Sequence, residues 1–212
     1  MNHATRRPVI HLVDDDESLR TAVSRLLRAA GYEVRTYGSA GEFLISRTHE
    51  TRGCILLDIR MPGPNGFELQ EALAKENEPL PIIFLTAHGD IPMTVRAMKA
   101  GAMDFLTKPV QRETLLSAVR NAVAHNSKAQ AALEKLRNWR SSLNQLTLRE
   151  REVFEGVVSG KMNKQIADEL GTAERTVKAH RAHIMEKMQV TSLAELVHIA
   201  DALQAGSQAP RA

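Results

Sequence analysis

Two hydrophobic patterns alternate along the first 125 residues. Short, almost unbroken apolar runs stand at Val9–Val13, Gly53–Leu57 and Ile82–Thr86, with weaker segments at Glu33–Tyr37 and Met103–Leu106. Continuous runs of that length are what parallel strands covered on both faces require. Between them, helical spacing predicts helices over about 16–30, 39–48, 65–75, 90–100 and 111–125. Local signals mark their ends. Ser39 and Glu42 match a capping box, Asn65 and Asp90 suit N-caps, and Gly31 suits the position just past a helix. Five strand–helix alternations predict an α/β doubly wound, five-stranded parallel sheet.

The pattern then changes. From about 111 to 144 it is helical with few breaks. Leu133, Leu136 and Leu143, with Ala129, fall near a seam repeat of about 3.5 residues that Asn126 and Arg140 interrupt. Two readings stay open: a short dimer seam, or a linker helix whose leucines pack on the chain's own domains. No strand pattern follows over 145–205. Thr147 with Glu150, and Ser192 with Glu195, match capping boxes opening two helices. Between them come a helix at about 162–169, a turn at Gly171–Ala173 and a helix at about 174–188. That predicts an all-α, four-helix domain with a helix-turn-helix unit. The expected organisation is a first domain at 1–125, a linker helix at 126–143 and a second domain at 144–212, ending in a disordered polar tail from 206.

Composition changes this picture little. The 212 residues suit one or two domains, and 43% hydrophobic content suffices for packed cores. The single cysteine, Cys54, lies in an apolar run, which fits a small core residue in a reducing, cytoplasmic setting. No run reaches the length of a membrane span, and the five-residue run after Arg6 and Arg7 contains His11 and ends in aspartates, so no targeting segment is read. The net charge of +3 is local. Residues 1–124 carry 15 basic and 15 acidic side chains and residues 144–212 carry 9 of each, so the excess sits between. Bulk charge therefore says little about nucleic acid.

The chemistry lies at the strand ends. Asp14 and Asp15, Asp58, Thr86 and Lys108 each follow or close an apolar run. Ligands of doubly wound sheets bind beyond the carboxyl ends of the strands. Three carboxylates there suit a hard cation such as Mg²⁺, Lys108 supplies a point charge and Thr86 a hydroxyl donor for phosphoryl oxygens. Phosphoryl transfer to an aspartate needs mainly positioning and charge neutralisation, and these parts provide both.

The stretches LVDDDESLR, LLDIRMPGPNG, IIFLTAHGD and DFLTKP make residues 8 to about 125 similar to the receiver domain of two-component response regulators. The resemblance implies a flavodoxin-like, receiver-like sheet and phosphorylation of Asp58 by a sensor histidine kinase. It implies Mg²⁺ held by Asp14, Asp15, Asp58 and the Arg60 carbonyl, and a cis Lys108–Pro109 bond. It also implies that Thr86 and the aromatic at 105 move together on phosphorylation. That aromatic is Phe105, which has no hydroxyl to bond in either state. Arg60 and His88 would flank the phosphoryl group, although His88 as a plain loop residue stays open. The rival class, an aspartate-nucleophile phosphohydrolase, places a second acid two residues after the nucleophile, where this chain has Arg60.

On a helical wheel of the 174–188 segment, Val177, Ile184 and Met188 share a core side. Arg175, Lys178, Ala179 and Ala182 lie opposite, and Arg181 and Lys187 flank the core stripe. Small residues between cations allow close entry to a major groove, while the flanking cations and Lys164 suit phosphates. The text from Leu146 to Met188 resembles the LuxR-type helix-turn-helix, and the whole chain resembles the FixJ-type subfamily of regulators. That likeness makes Lys178, Ala179 and Ala182 the base-facing positions. Ala173 replaces the usual serine cap, so Thr172 is the expected cap. The chain is thus expected to be a phosphorylation-dependent regulator, in the activator direction, that is no enzyme beyond Mg²⁺-dependent self-phosphorylation and dephosphorylation at Asp58. Its expected partners are a sensor kinase, double-stranded promoter DNA, a second copy of itself when phosphorylated, and RNA polymerase, with no membrane. An output directed at protein or RNA is the remaining rival.

Overall fold

A computed structural model describes residues 7–47, 52–76, 80–87 and 89–208. The chain divides into two compact units between Gln130 and Ala131. The first contains β1 (Val9–Val13), α1 (Glu17–Ala29), β2 (Glu33–Tyr37), α2 (Ala40–Ser46), β3 (Gly53–Asp58), α3 (Gly66–Leu73), β4 (Ile82–Thr86), α4 (Ile91–Lys99), β5 (Asp104–Thr107) and the first part of α5 (Arg112–Asn144). All strand pairs are parallel, in the order β2-β1-β3-β4-β5. That order reverses direction between β1 and β3, which fixes where a ligand crevice opens.

Strand alternation sends side chains to two cores. Ile55, Leu57 and Phe84 join Phe43, Leu69 and Ala97 on one face. Cys54, Leu56 and Ile83 join Leu27, Leu115 and Val119 on the other. Burial pushes the Cys54 thiol up to about 12, so it is a core hydrophobe. β5 starts one residue later than the apolar pattern suggests, although the Met103 N–H already bonds to the Ile82 carbonyl (2.8 Å). Gly31 ends α1 in a Schellman motif: its N–H donates to the Arg28 carbonyl (2.9 Å) and that of Tyr32 to the Leu27 carbonyl (3.1 Å).

Asn126, an interruption in the sequence seam, has a structural task. It is buried, and its Oδ1 accepts the Gly53 N–H at 3.0 Å. A Cβ on Gly53 would stand 1.8 Å from the Val9 carbonyl oxygen, so only glycine lets β3 start beside β1.

The second unit holds the rest of α5, then α6 (Leu148–Val158), α7 (Asn163–Leu170), α8 (Glu174–Met188) and α9 (Leu193–Gln208). Its core joins Val153, Phe154, Ile166, Val177, Ile184, Leu196 and Ile199. Leu136, Trp139 and Leu143 pack against that core, which answers for two of the seam leucines. The tail expected to be disordered begins inside α9, whose backbone runs to Gln208, and 209–212 lie outside the described residues.

Candidate functional site

The strand ends converge at the switch point of the first unit. Asp14 follows β1 and Asp58 closes β3; both are buried, and Asp15 beside them is exposed. Carboxylate oxygens of the three lie within 4.8 Å of one another. Lys108 reaches in from the end of β5. Its Nζ is 2.6 Å from Asp14 Oδ2 and 3.3 Å from Asp58 Oδ2. It is placed by its N–H, which donates to the Thr86 carbonyl (2.8 Å), ahead of a cis Lys108–Pro109 bond. The other strand end is held by Asp16, which caps α1 through the Ser18 and Leu19 N–H groups and donates its own N–H to Asp14 Oδ1 (3.0 Å). Arg20 Nη1 donates to the Asp14 carbonyl at 2.6 Å. The Ile59 N–H fixes Asp58 Oδ1 at 2.8 Å.

Charge here is out of balance: three carboxylates meet one ammonium. Burial pushes the Asp58 carboxyl above its usual range and Asp14 adds to the rise, while Lys108 opposes both. Burial works against the charged form of Lys108, yet Asp14 and Asp58 together outweigh it and its pKa is raised. Hard oxygen donors with surplus negative charge at an open crevice fit a small divalent cation such as Mg²⁺. An open groove of about 780 Å³ adjoins them, lined by Asp15, Arg60, Phe67, Met93 and Arg96 among others. Arg96 lies over the Phe67 ring, 4.4 Å from its centroid.

Thr86, at the end of β4, is buried. Phe105 is half-buried on β5, its ring centroid 6.3 Å from that of Phe84. Gly89 gives it room: a Cβ there would stand 2.9 Å from Phe105 Cε1 and 2.6 Å from Thr107 Cγ2. Arg60 is exposed, and His88 lies outside the described residues.

In the second unit α8 presents the faces expected of it. Val177, Ile184 and Met188 are buried, and Arg175, Lys178, Ala179 and Ala182 are exposed. Lys164 is exposed on α7. Lys178 Nζ lies 3.6 Å from Glu174 Oε1 across one helical turn. The flanking cations have protein partners. Arg181 Nη1 donates to Asn163 Oδ1 (2.6 Å), tying α8 to α7. Lys187 Nζ donates to Oε2 of buried Glu150 (2.6 Å) and lies 3.4 Å from the Gln145 carbonyl. The Lys187 hydrogen bond and then the Thr147 N–H pull the Glu150 carboxyl down to about 2. Gly171 turns α7 into α8 at φ 61°. The cap expected from Thr172 is not formed. The residue at the α8 N-cap is Ala173, with no side-chain cap bond, and the Thr172 N–H closes α7 on the Ala167 carbonyl at 2.9 Å.

Asp16, Arg20, Asn163 and Glu150 were not foreseen as site-forming residues. Only Asp16 and Glu150 carried a local signal, an acidic helix start and a capping box.

Residues 10–120 match the family profile of the response regulator receiver domain, and residues 144–200 match that of the bacterial regulatory proteins, luxR family. The chain is 45% identical over 200 residues to Nodulation protein W of Bradyrhizobium diazoefficiens, covering 94% of this chain and 88% of that one. It is 37% identical over 196 residues to the transcriptional regulatory protein FixJ of the same organism, covering 92% and 96%. Among solved structures, the response regulator StyR superposes with a TM-score of 0.83 at 49% identity, over 92% of this chain and 99% of that one. Full-length FixJ from B. japonicum gives a TM-score of 0.57 at 36% identity, over 95% and 99%.

Proposed function

This chain belongs to the response regulators of two-component systems, joining a receiver domain to a LuxR-family DNA-binding domain, and from that premise we propose that Asp58 takes a phosphoryl group from a sensor histidine kinase and that α8 reads promoter DNA in answer. The observation that carries this reading is the single ammonium of Lys108 lodged between two buried carboxylates at the switch point.

Asp14, Asp15, Asp58 and the Arg60 carbonyl would hold Mg²⁺, which when bound neutralises phosphoryl charge. A carboxylate oxygen of Asp58 forms the new O–P bond as the donor's bond to phosphorus breaks. Lys108 lies against a phosphoryl oxygen, and the Thr86 hydroxyl donates to another. Drawing Thr86 toward the phosphoryl group vacates space that Phe105 fills, which biases an existing two-state equilibrium. Exposed Ile91, Val95 and Met98 on α4 give the surface on which two phosphorylated copies pair. Paired output domains then engage two half-sites. Lys178, Ala179 and Ala182 face bases, while Arg175, Lys164 and the outer edge of Arg181 meet phosphates. Lys187, assigned to phosphates on the helical wheel, is engaged by Glu150 and serves the fold first. In this reading the receiver spans 1–125, the linker helix 126–143 and the reader 144–212. The protein acts in the cytoplasm as an activator that engages RNA polymerase. Its only chemistry is Mg²⁺-dependent gain and loss of phosphate at Asp58.

The test is phosphorylation with acetyl phosphate and Mg²⁺, followed by intact-mass analysis and sedimentation. Asp58→Asn should abolish the added phosphate and the rise in dimer fraction. Undiminished labelling in that variant sinks the site.

A further inference from the structure

We propose that Glu150, His180 and His183 form a second cation site, for a zinc-class transition metal, that ties the DNA-reading helix α8 to the start of α6. His180 and His183 stand three apart on α8 and so share a flank of that helix. Glu150 comes from the first turn of α6. One donor atom from each lies within 4.8 Å of the others, and His183 Nδ1 is 4.0 Å from Glu150 Oε1.

The carboxylate is already divided in its duties. Glu150 Oε2 takes the Thr147 N–H (2.8 Å) and the Lys187 ammonium (2.6 Å), while Oε1 lies on the side of His183 Nδ1. It is buried and stays ionised far below neutral pH. Two imidazoles and one carboxylate are a borderline nitrogen-and-oxygen set that suits Zn²⁺, with water completing a tetrahedron. The set differs in kind from the all-oxygen cluster of the receiver, which suits a hard ion. Lys187, one turn beyond His183, is the natural competitor, since its ammonium holds the same carboxylate. A bound cation would replace part of that attraction with direct bonds between two helices. It would also place positive charge on the flank of α8 next to Ala179, a base-facing position.

The experiment is a Zn²⁺ titration of the full chain by calorimetry, with excess Mg²⁺ present to occupy the receiver carboxylates. Unfolding is followed in parallel by fluorescence of the single tryptophan, Trp139, which packs on the second unit's core. His180→Ala and His183→Ala introduce good helix formers at incompletely buried positions and should leave the fold intact. Each should weaken Zn²⁺ binding at least tenfold, as should Glu150→Gln, which keeps an acceptor for the capping bond. Lys187→Met should tighten binding severalfold by removing the competing charge. Zn²⁺ should raise the Trp139-reported midpoint in the unsubstituted chain and not in the double histidine variant. An isotherm unchanged by both histidine substitutions, an unmoved midpoint, or weaker binding in Lys187→Met would each overturn the site.

Discussion

Two lysines in this chain make the same 2.6 Å contact with a buried carboxylate, one in each unit, and both favour the ionised form of the carboxyls they meet, yet the two sites end differently. Lys187 meets Glu150 and the Gln145 carbonyl, at a helix start where the Thr147 N–H adds a second positive end, and the carboxyl falls to about 2. Lys108 meets Asp14 with Asp58 close behind and Asp15 beyond, and the Asp58 carboxyl is raised by burial and by Asp14. Bond length does not separate them; the cost of burial and the local count of charges do. A matched pair on a helix end is satisfied and fastens the fold. A pair with carboxylates to spare leaves a group that a cation or a phosphoryl oxygen's neighbour can still stabilise, and such groups gather at functional sites.

The comparison breaks most visibly at Glu150. Glu150→Ala removes the partner of Lys187 and the acceptor of the Thr147 N–H together, and should destabilise the second unit by about 2–4 kcal/mol. Trp139 fluorescence in a urea titration reads it, and an unmoved midpoint would remove Glu150 from the fastening role. Lys178→Ala touches no core residue and leaves the fold alone. It should weaken operator binding by about 1–3 kcal/mol with a loosened sequence preference. A uniform loss across sequences, with a shallower salt dependence, would reassign Lys178 to a phosphate.

The sheet was legible because three of its strands are almost continuous apolar runs and its helices carry caps, and the core stripe of α8 was legible from its period alone. Asn65, Asp90 and Ser39 cap the helices expected of them, each accepting backbone N–H bonds. Finer geometry was not. Glu42 and Glu195 return their bonds to the N–H groups of Gly38 and Thr191, one residue before the N-cap serines at which a capping box would aim them. Lys187 read as a flanking cation because a wheel shows one helix and not the carboxylate 37 positions upstream that meets it. Asn126 read as a flaw in a seam because its partner, Gly53, lies 73 positions away. Local patterns carry the faces of elements; the partner on each face is set by packing between elements, which no single window contains.

The subtler test is the sign of the charge effect in the receiver. A carboxyl whose folded pKa is raised binds its proton more tightly folded than unfolded, so stability falls as pH climbs from about 3.8 through the folded value. At neutral pH the ionised Asp58 therefore stands against the fold. Asp58→Asn, in Mg²⁺-free buffer, should stabilise the first unit by roughly 1 kcal/mol, since it leaves Lys108 matched to Asp14. Mg²⁺ should stabilise the unsubstituted chain and do far less for the variant. Glu150 has the reverse sign. Its contribution is complete above about 4.5 and drains away as pH falls toward about 2. Acidification should then loosen the unit reported by Trp139 while relieving Asp58 in the other. Two-dimensional NMR of the separate units' amide signals across that range would show it. Parallel losses in both units, or a destabilised Asp58→Asn, would mean that Lys108 balances its site as fully as Lys187 balances its own.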